Sequence, residues 1–155
     1  MKKERGIAVT IRKLNKQDFD TVFAMMQVFY ASNALLIHPD QAVLRRTLSD
    51  AVGDNPYLEA YGFWQDDVLT GYGMVTKSYS TERGGMCIWI EDIYIAPAYR
   101  HKGYGSSFLA FVEERYGDHA ARLRLEAEPE NVHAMQAYQK AGFEILGYTQ
   151  LVKEL

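Results

Sequence analysis

A chain of 155 residues, 48% of them apolar, with a net charge of −3, is large and apolar enough to bury a core; this excludes a disordered chain and argues against a basic nucleic-acid binder. No apolar run approaches membrane-spanning length and no signal-peptide pattern opens the sequence, so neither a membrane protein nor a secreted one is expected. Cys87 stands alone, so no intrachain disulfide can form, and a single domain over residues 1–155 in the cytoplasm is the expectation.

Ile7-Ala8-Val9-Thr10-Ile11-Arg12 alternates and predicts a first strand. Asn15, with Asp18 three residues on, has the form of a capping box. Phe19, Val22, Met26, Phe29 and Tyr30 follow at helical spacing. Pro39-Asp40 opens a second helix that carries Val43, Leu44, Thr47 and Leu48 and stops near Gly53. Tyr57 to Trp64 and Val68 to Tyr79 read as two strands joined by the turn Gln65-Asp66-Asp67. Gly71 and Gly73 in the second of these mark a place for close backbone approach. After a turn at Thr81 to Gly85 comes a strand from Met86 to Ile95.

That strand contains a phase slip. Ile88 and Ile90 share one parity, Ile93 and Ile95 the other, whereas side chains of a regular strand alternate faces. One extra residue at Glu91-Asp92, a β-bulge, returns both pairs to one face; the competing reading is a strand buried on both sides, for which parity carries no information.

Next comes Arg100-His101-Lys102-Gly103-Tyr104-Gly105-Ser106, followed by the helical run Ser107 to Glu114. Two close glycines at a helix start present unpaired backbone N–H groups to one point, where an anion binds; the basic side chains favour a polyanion. Phe108 occupies the third glycine position of the dinucleotide fingerprint, and no Gly-Lys-Ser/Thr run follows the loop. Arg122 to Ala127 alternates as a further strand ended by Pro129, Asn131 caps a helix running to Ala141, and Gly142 suits its left-handed stop. Glu144 to Tyr148 and Thr149 to Leu155 read as a final short β segment with a turn between its halves.

Arg100, Gly103 and Gly105, preceded by Asp92-Ile93-Tyr94-Ile95-Ala96-Pro97 and followed by Glu128 to Phe143, form a constellation that resembles the GNAT superfamily of acetyl-CoA-dependent N-acetyltransferases. Within it, Ile90-Glu91-Asp92-Ile93-Tyr94-Ile95 is similar to the polyamine-acetyltransferase branch. The resemblance covers roughly residues 86 to 148. It implies a mixed α/β fold, a mostly antiparallel twisted sheet with helices on both faces and the bulge in a central strand. It also implies acetyl-CoA as co-substrate, with no metal. The segment Ile93-Tyr94-Ile95 would then pair with the pantetheine arm through its backbone. Arg100, His101, Lys102, Gly103, Tyr104, Gly105 and Ser106 would hold the pyrophosphate. Asn131 would contact the cofactor as well as cap its helix, Tyr138 would protonate the departing thiolate, and Glu91 would accept the amine proton, with Asp92 as its neighbouring alternative.

His38, His101, His119 and His133 lack metal-ligand spacing and read as surface residues, His101 alone being within reach of phosphate. No serine stands in a nucleophile elbow, so direct transfer in a ternary complex is preferred to an acyl-enzyme. The acidic balance and Glu91 lean towards a small amine or polyamine as acceptor. A peptide N-terminus, a lysine side chain and an aminoglycoside remain alternatives. Tyr30, Tyr57, Tyr61, Tyr72 and Tyr79 are aromatic candidates for the acceptor cleft, and Glu59 and Glu82 for attracting a cation. Rival classes are a non-catalytic acetyl-CoA sensor and a nucleotide-binding domain. Neither nucleic acid nor membrane is expected as a partner, and the final β segment is the candidate contact for a homodimer.

Overall fold

A computed structural model describes residues 8–155. Ile7, counted above with the first strand, lies outside them. The elements in chain order are β1 (Thr10–Lys13), α1 (Phe19–Tyr30), α2 (Gln41–Val52), β2 (Leu58–Gln65), β3 (Val68–Ser80), β4 (Gly85–Ile95), α3 (Tyr104–Tyr116), β5 (Ala120–Leu125) and α4 (Val132–Lys140). The strands form one sheet in the order β1-β2-β3-β4-β5. Three contacts are antiparallel, those of β2–β3 and β3–β4 being hairpins and that of β1–β2 spanning α1 and α2, and β5 joins β4 in parallel after the crossover through α3.

Local chemistry sets the helix starts. Asn15 Oδ1 accepts from the Gln17 amide at 2.9 Å, while the Asn15 amide donates to Asp18 Oδ2 at 3.0 Å, a reciprocal pair that fixes the turn leading into α1. Asp40 Oδ1 accepts from the Val43 amide at 2.9 Å and starts α2. Asn131 does the same for α4 through the Ala134 amide at 3.3 Å. At the far end of α4, Gly142 takes φ 91°, and the amides of Gly142 and Phe143 return to the carbonyls of Gln139 and Tyr138.

Each face of the sheet is covered by helices. Val22 and Met26 of α1 and Leu44 and Leu48 of α2 bury against Ala60, Tyr72, Met74 and Tyr94. On the opposite face Phe108, Leu109, Val112 and Tyr116 of α3 meet Tyr61, Phe63, Val75, Ile88 and Ile90. Gly73 permits this second contact, because a Cβ there would collide with the Phe108 ring. Full burial of a phenylalanine at such a site contributes about 2–3 kcal/mol.

The phase slip resolves as a bulge. Met74 pairs with Asp92 and Val75 with Ile90, leaving Glu91 without a partner on β3. Ile88 and Ile90 therefore share the α3 face with Ile93 and Ile95, while Asp92 and Tyr94 turn to the α1 side. Pairing of β4 with β5 stops at Ile90–Leu125, so beyond the bulge the two strands part.

Two expectations need correction. Residues 144–155 form no strand: no neighbouring strand lies against them, because the free edge of β5 borders a cavity instead. The glycine loop is also shorter than read from the sequence. Tyr104, Gly105 and Ser106 already form the first turn of α3, since Gly103 at φ 80° supplies the reversal the helix needs to begin.

Candidate active site

Where β4 and β5 part, a cavity of about 1130 Å³ opens. Glu91, Asp92 and Trp89 line it from β4, Leu123 to Glu128 from β5 and the segment after it, and Met135 and Tyr138 from α4. Tyr30 and the run Ala34 to Ile37 close it from the connection between α1 and α2.

The bulge sends the two carboxylates in different directions. Glu91 is exposed, and its Oε1 accepts from the Thr76 hydroxyl at 2.6 Å. Asp92 is only 3% exposed; Oδ1 accepts from Tyr30 at 2.7 Å and Oδ2 from Tyr72 at 2.9 Å. Burial pushes its carboxyl up to about 6 and Glu91's charge adds to this, while the two tyrosine hydrogen bonds pull the other way. The Tyr30 and Tyr72 hydroxyls are themselves held well above the usual phenol range, by burial first and then by Asp92.

Backbone polarity follows from the register. The Ala96 amide bonds the Thr70 carbonyl at 2.8 Å, so Tyr94 exchanges hydrogen bonds with Tyr72, and the N–H and C=O groups of Ile93 and Ile95 point away from β3, beyond the place where pairing with β5 stops. Arg100 Nε donates to the Ile95 carbonyl at 2.8 Å and holds the strand end against the loop. Tyr94 itself is buried on the α1 side, so on the edge away from β3 only its neighbours present backbone groups.

The start of α3 fits a diphosphate on two observations. Gly103 is the cap residue and provides no side-chain acceptor, so the first-turn amides of a 13-residue helix have no side-chain cap. A Cβ added at Gly105 would meet only Ile95 Cδ1, at 3.9 Å, and one at Gly103 would meet nothing within 4 Å; the space over this turn is open to a ligand. The Tyr104 side chain turns inward, buried, with its hydroxyl on Gln65 Oε1 at 2.6 Å, so only its amide faces the loop. His101 takes φ 61°, and its ring lies 6.0 Å from that of His133, which brings a second imidazole of α4 to the loop. Lys102 and Ser106 are exposed beside it.

Tyr138 lies partly buried on the cavity wall, in edge contact with Phe143. Burial raises its phenol, and its hydroxyl has no hydrogen-bond partner among the described residues.

Several sequence candidates fall elsewhere. Of the five tyrosines named for the acceptor cleft, Tyr30 alone lines the cavity. Tyr72 is buried behind Asp92, and Tyr57 and Tyr79 are exposed on the hairpin. Tyr61 is buried on the α3 face, where its hydroxyl and that of Tyr116 converge on Glu59, which also takes Lys77 Nζ at 2.6 Å. Glu82 is occupied by Arg122 and Tyr148. The sequence reading passed over Leu35-Leu36-Ile37, of which Leu36 and Ile37 are 82% and 64% exposed at the cavity mouth. The available signal was an apolar run set between turn residues and outside either helix.

The chain thus combines a mixed sheet that parts beside a bulge with a helix start that has no side-chain cap. The chain belongs to the acetyltransferase (GNAT) family, whose model matches residues 23–143. It is similar to thialysine N-epsilon-acetyltransferase, 36% identical to the Bos taurus protein over 103 residues and 30% identical to the Sus scrofa protein over 146. These matches cover 61% and 87% of this chain, and 60% and 84% of the respective relatives. Spermine/spermidine N(1)-acetyltransferase of Bacillus subtilis is 24% identical over 95 residues, 59% of this chain and 62% of that protein. Among solved structures, a possible acetyltransferase from Clostridium difficile 630 superposes with a TM-score of 0.82 at 21% identity, covering 95% of this chain and 97% of the other. Family and fold together make this chain an acetyl-CoA-dependent N-acetyltransferase. Among the described residues no helix is long and apolar enough to cross a membrane, and no group of three or more metal-ligating side chains occurs.

Proposed function

We propose that the chain acetylates a primary amine of a small di- or polyamine, in the cytoplasm, by direct transfer within a ternary complex. The observation that carries this reading is the bulge: it sets Glu91 and Asp92 on one cavity whose opposite wall holds Tyr138. Glu126 and Glu128 line the same cavity, so a compound with several ammonium groups meets carboxylates along its length. The relatives named for thialysine and spermine/spermidine support a cationic acceptor of this kind.

Acetyl-CoA, when bound, supplies an activated acetyl thioester. The chain's own residues divide the remaining work. Amides from Lys102 to Ser106 hold the diphosphate, with Arg100, His101 and Lys102 adding charge around them. The backbone groups of Ile93 and the Ile95 amide, all turned away from β3, align the pantetheine amides as an added strand would, and Asn131 flanks the cofactor from α4. An alkylammonium has a pKa of about 10, so it must lose a proton before its nitrogen can attack. Glu91, exposed at the bulge, takes that proton directly or through water. Asp92 is kept by Tyr30 and Tyr72 as a fixed acceptor beneath it. Tyr138, raised by burial and so protonated at neutral pH, gives its proton to the departing sulfur.

Thiol release followed across diamines, polyamines, aminoglycosides, lysine peptides and free peptide N-termini tests the assignment. Turnover concentrated on the di- and polyamines supports it. Turnover on peptides alone replaces the acceptor, and silence across the panel with CoA still bound leaves the sensor reading.

A further inference from the structure

We propose that Thr76 is a positioning residue for the transfer: its hydroxyl holds the Glu91 carboxylate by one oxygen and so aims the other, Oε2, at the acceptor's proton. The inference rests on the reading of Glu91 as proton acceptor and adds to it a residue that touches neither substrate nor cofactor. Glu91 lines the cavity, whereas Thr76 lies outside its wall. The link between them is the hydrogen bond from Thr76 Oγ1 to Glu91 Oε1, 2.6 Å long.

The bulge creates the need for such a restraint. Glu91 has no partner on β3 and its side chain is exposed, so left alone the carboxylate would spread over many rotamers. Thr76 is the opposite case. It pairs with Leu58 of β2 and with Trp89 of β4, which fixes its backbone on both sides, and its β-branched side chain is stiff at χ1. Val75 packs on the α3 face, so alternation turns Thr76 to the other face, with Met74. There it stands opposite Trp89, two residues before Glu91, and a diagonal neighbour of this kind is within reach of a long side chain.

The two carboxylates at the bulge also differ in what they have left to offer. Asp92 has both oxygens occupied, Oδ1 by Tyr30 and Oδ2 by Tyr72. Glu91 has one occupied, and its Oε2 has no hydrogen-bond partner among the described residues. A donor on one oxygen fixes the plane of the group while the other stays open to accept. In the step so arranged, an N–H bond of the ammonium breaks and its proton passes to Oε2, directly or through water. The electron pair stays on nitrogen for attack on the thioester carbonyl.

Variants of the full chain test this with acetyl-CoA and the fastest amine of the panel above. Thr76→Val keeps the shape and removes the donor. Its kcat/KM for the amine is expected to fall roughly tenfold or more, with stabilisation by CoA in a thermal-shift assay unchanged. Thr76→Ser keeps the donor and is expected to keep near-wild-type turnover. The deciding comparison is made in the Glu91→Gln background. With the carboxylate gone, Thr76→Val is expected to cost nothing further, because the two residues act as a unit. A merely structural threonine would lower the rate equally in both backgrounds. Equal losses in both, loss of turnover in Thr76→Ser, or full activity in Thr76→Val beside a slowed Glu91→Gln each overturns the positioning role. Glu91→Gln at the wild-type rate is a different result: it removes Glu91 as proton acceptor, and the role of Thr76 goes with it. Should Thr76→Val fail to fold, Thr76→Ala in the same two backgrounds decides.

Discussion

The Tyr30 hydroxyl of α1 donates to Asp92 Oδ1 across 2.7 Å, joining the first helix to the residue that follows the bulge. Tyr72 completes the arrangement from β3, so a carboxylate 3% exposed is satisfied on both oxygens. The acceptor wall and the strand break are thereby held as one unit.

This arrangement gives stability a distinctive pH dependence. Asp92 has its carboxyl raised by burial from 3.8 to about 6, so between these values the folded chain binds a proton that the unfolded chain has released. The stabilisation from protonated Asp92 is complete below about pH 4 and is lost as pH rises through 6, amounting to ~3 kcal/mol. Asp92→Asn should remove this slope. Denaturant midpoints measured from pH 4 to 7 check it, and a wild-type contribution that is flat against the Asn variant counts against the account.

Glu59 behaves with the opposite sign. Burial works against its charge, but hydrogen bonds from Lys77, Tyr116 and Tyr61 prevail and hold its carboxyl down to about 2. Its contribution is present above pH 4.5 and is lost as pH falls towards 2. Glu59→Gln should cost about 2 kcal/mol at pH 7 by breaking hydrogen bonds to a charged group, with kcat unchanged because the cluster lies on the α3 face, outside the cavity. Paired unfolding and rate measurements check both halves of that statement.

Gly105→Val separates cofactor binding from folding. The new side chain begins in open space, with Ile95 Cδ1 3.9 Å from its Cβ, so Tm should change little. It projects where a diphosphate must approach, and CoA stabilisation in a thermal-shift assay should disappear. Gly103→Val is a less clean test, since φ 80° at that position strains any β-branched residue by roughly 1–3 kcal/mol. A Gly105→Val protein that binds CoA normally would remove the diphosphate from the start of α3.

Tyr138→Phe should lower kcat by roughly 10²-fold or more with CoA affinity nearly unchanged, because only proton donation is lost. Glu91→Gln should lower kcat/KM for amines offered as ammonium ions and recover part of the loss at higher pH, where more free amine is present. Equal turnover in the Tyr138 variant would take that residue out of the chemistry. Absence of any recovery with pH would do the same for Glu91.

What the sequence determined was whatever depends on neighbours along the chain. The parity break between Ile90 and Ile93 located the bulge, because alternation is a property of one strand. Asn15, Asp40 and Asn131 marked their helix starts, because a cap reaches only two or three residues. Tertiary structure decided what depends on contacts between distant segments. Tyr30 and Asp92 are 62 residues apart, and no spacing rule links them. Glu59 looked like a candidate for the acceptor cleft until Tyr116, 57 residues away, placed it on the other face. Residues 144–155 carry an apolar β-like pattern, yet pattern alone cannot supply the partner edge that makes a strand. A strand is stable only when its backbone groups are paired, and whether a neighbour is available is settled by the assembled sheet.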